Sequence, residues 1–205
     1  MQRRVTAILV AHGGGPYIER TLASLARQTR KPDLLVVIDT APTDASTRQL
    51  AQAAPALHLS SKPGATFGSA VAEAVRQLRG PDHLGTNAGV GSGATQGASP
   101  STEWLWLLGE DNTADPRALE QLLSAVEIAP SVVVAGPKLL SVDDPSMLVS
   151  LGETMSTLGT SVRLVENELD QAQYDTRDDV LGVAAAGMLV RRDVWTTLGG
   201  FDPGV

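Results

Sequence analysis

The chain contains no cysteine. Disulfides, thiolate metal sites and a cysteine nucleophile are therefore excluded, and the absence is compatible with the cytoplasm. No apolar run approaches the roughly 20 residues needed to span a bilayer. Val5 to Val10, although preceded by Arg3 and Arg4, is too short for a signal-peptide core. Positive charge is scarce: 16 Lys and Arg against 23 Asp and Glu leave a formal net charge of −7. The pairs Arg3-Arg4 and Arg191-Arg192 make no basic stripe, which argues against a general nucleic-acid-binding role. Two phosphate-loop motifs are also missing. Nothing matches G-x-x-x-x-G-K-S/T. In Gly13-Gly14-Gly15-Pro16-Tyr17-Ile18 the third glycine of G-x-G-x-x-G is replaced by Ile18, with Pro16 and Tyr17 awkward beside it. An NAD-type site is thereby disfavoured, although Asp39 stands where such a fold places its ribose acid.

What is present is an ordinary globular composition: 205 residues, 42% hydrophobic and 19% charged, enough for one domain with a real core. Val5 to Ala11 and Leu34 to Ile38 read as buried strands, and Leu57 to Leu59 as a short third one. Tyr17 to Gln28 spaces Ile18, Leu22 and Leu25 as an amphipathic helix. A second helix, capped by Asp44 or Ser46, runs to about Ala54, and a third, entered between Gly64 and Gly68, runs up to Arg79. Residues 80–102, rich in Gly, Ser, Ala and Thr, read as a flexible surface loop. Asp115-Pro116 predicts an N-cap with proline at the first position of a helix over 116–129. An apolar strand over 132–136 follows. This alternation predicts a mainly parallel sheet with right-handed crossovers.

From Leu139 the pattern changes. Ser161 to Glu166 alternates with period two, as an antiparallel strand or hairpin does. Val180 to Arg191 is an apolar strand candidate containing Gly182 and Gly187. Asp193 to Leu198 reads as a short helix closed by Gly199-Gly200. The expected organisation is one domain over 1–205, a nucleotide-fold half over 1–136 followed by a mixed half over 137–205.

The segment Trp104-Leu105-Trp106-Leu107-Leu108-Gly109-Glu110-Asp111-Asn112 carries the chemistry most directly. Five bulky apolar residues, read as a strand buried on both faces, run into two adjacent carboxylates. Ligands of open α/β sheets gather beyond the carboxyl ends of such strands. Paired carboxylates there can hold a divalent metal against a phosphate. The same pair can equally be read as solvated loop acids or as a cap for the next helix. Ala11-His12-Gly13 after the first strand and Asp39 after the second face the same crevice. Trp104 and Trp106 read as packing residues, and Arg191-Arg192 as a surface pair.

These residues together resemble the catalytic domain of family 2 glycosyltransferases, which have the GT-A fold. Val5 to Gly14 is similar to the family's opening strand and nucleotide loop, and Thr21 to Thr29 to its first helix. Val36-Val37-Ile38-Asp39 with Thr43-Asp44 resembles its D-d-g-S-t-D segment. Leu107 to Asp111 resembles its D-x-D segment, and Ala186 to Trp195 followed by Gly199-Gly200-Phe201-Asp202 its acceptor-side segment. Alanine-rich helices, the Trp-Leu-Trp strand and Asp170 to Asp175 further resemble large actinobacterial cell-envelope members.

The resemblance implies an α/β GT-A fold with a mainly parallel central sheet and a small antiparallel addition. It implies inverting transfer of a sugar from a UDP- or dTDP-linked donor to a hydroxyl of a glycan or glycolipid acceptor, in bacterial envelope synthesis. Ala11, His12, Gly13, Asp39, Gly68 and Glu110 would line the nucleotide-sugar site, and Asp111 would hold Mg²⁺ or Mn²⁺. Two departures stand out: Gly109 occupies the place of the first acid of D-x-D, and the family's acidic pair lies beyond the Phe201-Asp202 segment. Asp202 is a candidate base, with the main base expected after Val205 in a longer enzyme. Such an enzyme would lie in the cytoplasm at the inner face of the plasma membrane, held there by its missing C-terminal region. The alternative is a nucleotide-sugar-binding or scaffolding domain without turnover.

Overall fold

A computed structural model describes residues 3–62, 64–78, 102–176 and 179–202. The elements, in chain order, are β1 (Arg4–Ala11), α1 (Ile18–Ala26), β2 (Leu34–Asp39), α2 (Asp44–Gln52), β3 (Leu57–Ser60), α3 (Phe67–Gln77), β4 (Glu103–Gly109) and α4 (Ala118–Ile128). The remainder are β5 (Val134–Ala135), β6 (Leu139–Leu140), β7 (Met147–Ser150), β8 (Glu153–Met155), β9 (Ser161–Arg163), β10 (Glu168–Leu169), β11 (Leu189–Arg191) and α5 (Arg192–Leu198). The surface loop expected over 80–102 lies, apart from Thr102, outside the described residues.

The main sheet has the order β3-β2-β1-β4-β11-β5. Its first four strands are parallel, and β11 runs antiparallel to both β4 and β5. Covering helices on both faces explain why β1 and β4 read as unbroken apolar runs. Residues of one parity, among them Val5, Ala7, Leu9, Trp104, Trp106 and Leu108, pack with α1, α2 and α4. The opposite parity, Ile8, Val10, Val36, Ile38, Leu105 and Leu107, packs with α3 and Trp195 of α5. Trp104 and Trp106 are buried core residues, as their composition implies. After β5 the chain makes the antiparallel addition: a three-stranded sheet β10-β7-β6 and the hairpin β8-β9.

Three local expectations are corrected. The fourth helix starts at Ala118, because Pro116 and Arg117 form a turn in which the Asp115 carboxylate accepts the Arg117 N–H (2.9 Å) and the Asp115 carbonyl accepts that of Ala118 (2.9 Å). The strand expected over 132–136 shortens to Val134–Ala135, since it pairs only with the short β11. Of Val180 to Arg191 only the last three residues are strand. Gly187 breaks the run at φ +76, where Pro137 lies against it and a β-carbon would come within 2.7 Å of the proline ring.

Candidate functional site

Sheet register sets out the site. Ala11 is level with Asp39, and Val10 with Gly109, so Glu110 follows into the same row along the carboxyl-end rim. Neighbouring strands lie about 4.8 Å apart, so the residues that leave these strand ends are close neighbours. Ala11, His12, Gly13, Asp39 and Glu110 are therefore brought together, and hydrogen bonds tie four of them directly.

Asp39 is fully buried. Its Oδ1 accepts the backbone N–H of Gly13 (2.9 Å) and of Ala41 (3.0 Å). Its Oδ2 is buried and has no hydrogen-bond partner. A buried carboxylate oxygen left without a donor costs free energy, so it marks a place where a donor is due. Gly13 can turn back to Asp39 because it takes φ +78, a region that side chains rarely enter. A β-carbon at Gly13 would meet the carbonyl oxygen of Ala41 at 2.9 Å. Absence of a side chain thus lets the β1 loop lie flat on the β2 loop.

Glu110 and Asp111 divide their work. Glu110 Oε2 accepts the backbone N–H of His12 (2.7 Å), which clips the β4 loop to the β1 loop. Asp111 is exposed, and one oxygen, Oδ1, accepts from the Asn112 amide (3.0 Å). Asn112 Oδ1 in turn accepts the Gly109 N–H (2.7 Å), closing the turn. At Gly109 a β-carbon would approach Asp111 Oδ1 to 2.9 Å. That atom ends an exposed, flexible side chain that can turn aside, so the contact by itself does not demand glycine at this position.

Three residues that the sequence reading left without a role join the site. Thr40, buried behind Asp39, donates to the Ala11 carbonyl (3.0 Å) and bonds His12 Nδ1 (2.9 Å). Thr21 donates from α1 to the Glu110 carbonyl (2.7 Å), and Asn112 braces the turn as described. The signal in the sequence was available for Thr21 only, as a hydroxyl on the apolar face of a helix.

Gly68 and Asp202 lie to one side. Gly68, in the first turn of α3, is covered by Phe201, whose Cβ would stand 3.0 Å from a β-carbon there. Phe201 also meets Trp195 edge-on (4.9 Å between centroids) and Phe67 at a tilt (6.2 Å). This aromatic anchor brings Asp202 to the α3 edge of the rim, where it is exposed.

Fit to a divalent cation can be judged from the donors. No group of three or more His, Asp or Glu able to hold a metal occurs among the described residues. Asp111, with Oδ2 open, and the remaining oxygen of Glu110 do suit Mg²⁺ or Mn²⁺ in the mode that relies on one or two carboxylates plus substrate phosphates. A site complete without substrate does not fit.

Comparison with known proteins bears on the family and the fold. A family model described as "Glycosyltransferase like family 2" matches residues 3–205. The chain is 28% identical over 150 residues to galactofuranosyltransferase GlfT1 of Mycobacterium tuberculosis, covering 72% of this chain and 43% of that protein. It is 26% identical over 208 residues to N-acetylglucosaminyl-diphospho-decaprenol L-rhamnosyltransferase of the same species, covering 95% of this chain and 64% of the relative. The chain thus spans about half the length of the curated relatives it matches. Among solved structures, S. aureus TarS 1-349 superposes with a TM-score of 0.58 at 15% identity, over 98% of this chain and 50% of that one. The same protein in complex with UDP gives 0.54, covering 98% of this chain and 51% of that one. At that identity the likeness speaks for the fold alone, an α/β fold of the GT-A type.

Proposed function

The chain belongs to the glycosyltransferase-like family 2, and from that premise we propose that it moves a sugar from a nucleotide-diphosphate donor to an acceptor hydroxyl, with inversion at the anomeric carbon, in cell-envelope glycan synthesis. The observation that carries this reading is Asp39: a fully buried carboxylate whose Oδ2 awaits a donor, at the carboxyl-end rim where open α/β sheets bind ligands. A uracil or thymine ring N–H, or a ribose hydroxyl, supplies such a donor. Ala11, His12 and Gly13 lie alongside with backbone that a nucleotide can approach closely, and Glu110 keeps one oxygen that can assist Asp111 at the cation. Asp111, directed to solvent past β4, is assigned to the cation that accompanies the diphosphate.

When bound, that cation supplies Lewis-acid neutralisation of the charge that grows on the departing diphosphate. The chain's own contribution is placement: Glu110 holds the β1 loop against the β4 turn, and Asn112 holds the turn itself. The relatives' names, a galactofuranosyltransferase and an N-acetylglucosaminyl-diphospho-decaprenol L-rhamnosyltransferase, support a glycan or glycolipid acceptor. The base for the acceptor proton is assigned to the segment that begins at Asp202. A base is typically worth about 10²–10⁴-fold in such a step.

Calorimetric titration of UDP-, dTDP- and GDP-sugars, with and without Mn²⁺, tests the reading. Asp39→Asn places an amide where an acceptor is required, and is expected to weaken nucleotide binding roughly 10- to 100-fold, the value of a hydrogen bond to a charged group. Asp111→Ala is expected to abolish the Mn²⁺-dependent part of the affinity and to leave the metal-free part. Failure of the chain to bind any nucleotide sugar would overturn the donor site. Binding without transfer or hydrolysis, also by a chain extended to the length of its relatives, would favour the scaffolding alternative, which Gly109 in place of the first acid motivates.

A further inference from the structure

One face of α1 and the residues just past its end combine burial with polar side chains. Thr21 and Ser24 are wholly buried and Gln28 is 3% exposed, beside the core residues Ile18 and Leu25. Thr21 and Ser24 stand three apart on α1, and Gln28 continues their row just past the end of the helix. Every member of the row reaches the main chain that follows β4, or supports one that does.

Thr21 Oγ1 donates to the carbonyl of Glu110 (2.7 Å). Ser24 Oγ accepts the N–H of Ala114 (3.1 Å) and donates to the carbonyl of Thr21 (2.7 Å). Gln28 Nε2 donates to the carbonyls of Asp115 (2.6 Å) and Ser24 (3.3 Å), and its Oε1 accepts the N–H of Leu119 (3.1 Å). The bonded groups step along residues 110–119, a stretch that is turn and coil up to the start of α4 at Ala118. Its backbone has no strand partner over residues 110–117.

A polar row in this position is costly unless each group is satisfied. Leucine or alanine would fill an amphipathic helix face without that risk. What the polar row adds is direction: satisfied buried networks fix one geometry for the groups they bind. Here those groups belong to the peptide chain that carries Glu110 and Asp111.

We infer that Thr21, Ser24 and Gln28 are positioning residues that hold the Glu110–Asp111 turn at the place where its carboxylates meet a bound diphosphate and its cation. The inference rests on the donor-site reading above. Thr21 acts nearest the chemistry, since the Glu110 carbonyl it holds is part of the peptide bond leading into Asp111. Its hold extends further through the Glu110 side chain to His12, and so to the β1 loop.

Two substitutions separate the hydroxyl from the space it fills. Thr21→Val keeps the shape and removes the donor, whereas Thr21→Ser keeps the donor and removes a methyl group. On the full chain, UDP is titrated with and without Mn²⁺. Thr21→Val is expected to lose about tenfold of the affinity that Mn²⁺ adds, with metal-free UDP affinity changed less than about twofold, the loss of one buried hydrogen bond being of this size. Thr21→Ser is expected to bind as the parent does. Equal behaviour of the two variants, or equal weakening with and without metal, would overturn the inference, because a merely structural role predicts either.

Amide exchange of the unliganded chain gives a readout independent of the donor. Thr21→Val is expected to speed exchange at His12 and Ala114, and Thr21→Ser to leave it unchanged. If the parent chain binds no UDP, the donor-site reading fails and exchange alone decides the polar row; unaltered exchange in Thr21→Val overturns it. Should Thr21→Val not fold, Ser24→Ala is read in the same way at the Ala114 amide.

Discussion

Gly13 has two constraints on it at once. Its φ of +78 lies in the left-handed region, and the carbonyl oxygen of Ala41 stands 2.9 Å from where a β-carbon would be. Alanine there must either push the β1 loop off the β2 loop or hold a strained backbone against a contact. We expect Gly13→Ala to destabilise the fold by about 1–3 kcal/mol, the range for a residue forced into a sparsely populated backbone region. Urea unfolding measures it, with Gly15→Ala as control, since nothing lies within 4 Å of a β-carbon at Gly15 and its φ is not in that region. The displaced loop also carries the N–H that Asp39 Oδ1 accepts. Gly13→Ala is therefore expected to weaken nucleotide binding as well, whereas Gly15→Ala is expected to leave stability near the parent value.

At the scale of an element, α2 shows how a helix start is tied to the site. Thr43 Oγ1 accepts the Ser46 N–H (3.0 Å), and Ser46 Oγ accepts the Thr43 N–H (2.9 Å), a reciprocal capping box. The reading from sequence offered Asp44 or Ser46 as the cap; the structure makes Thr43 the cap and Ser46 its counterpart three residues in. The reason is the turn after Asp39, which leaves Thr43 as the last extended residue, at ψ 163. Thr43 Oγ1 also lies 3.4 Å from the Gly13 carbonyl. Thr43→Ala is expected to cost about 1 kcal/mol, the usual value of a lost N-cap. Thermal unfolding of Thr43→Ala against Thr43→Ser checks it, the serine retaining most of the stability.

At the scale of the whole molecule, the segment entering the antiparallel half is tied by charge to the chain that follows β10. Lys138, three residues beyond β5, pairs with Asp170 (2.7 Å) and Asp175 (2.8 Å). The hydrogen bond to Asp170, followed by that to Asp175, raises the Lys138 pKa above its ordinary value. In return, the Lys138 ammonium holds Asp170 below the usual carboxylate range. For Asp170, a folded value below the unfolded one contributes stability above the unfolded pKa of about 3.9, and that contribution is lost as pH falls through the folded value. For Lys138 the contribution is present below its unfolded value and is lost as pH rises through the raised folded one. The melting-temperature gap between the parent chain and Lys138→Met is therefore expected to be steady from about pH 5 to 9 and to close below about pH 4. A gap that persists undiminished in acid would show that the methionine acts through packing.

Much of this architecture was legible in the order of residues, for stated reasons. Apolar runs at Val5–Ala11 and Trp104–Leu108 determined strands buried on both faces, and the spacing of Ile18, Leu22 and Leu25 determined an amphipathic helix, because period and burial are local properties of a chain. The rim residues Ala11, Asp39 and Glu110 followed from the rule that strand ends of an open parallel sheet converge. Only the tertiary structure decided how those residues use their atoms: Glu110 spends one oxygen on the His12 N–H, and Asp39 keeps one oxygen without a donor. It also decided that Gly68 lies under Phe201 and that a polar row on α1 holds the peptide of Glu110. Contacts of this kind join residues 89 or more positions apart, as Thr21 and Glu110 are. No periodicity records them, because a hydrogen bond depends on where two distant backbones meet and not on the neighbours of either residue along the chain.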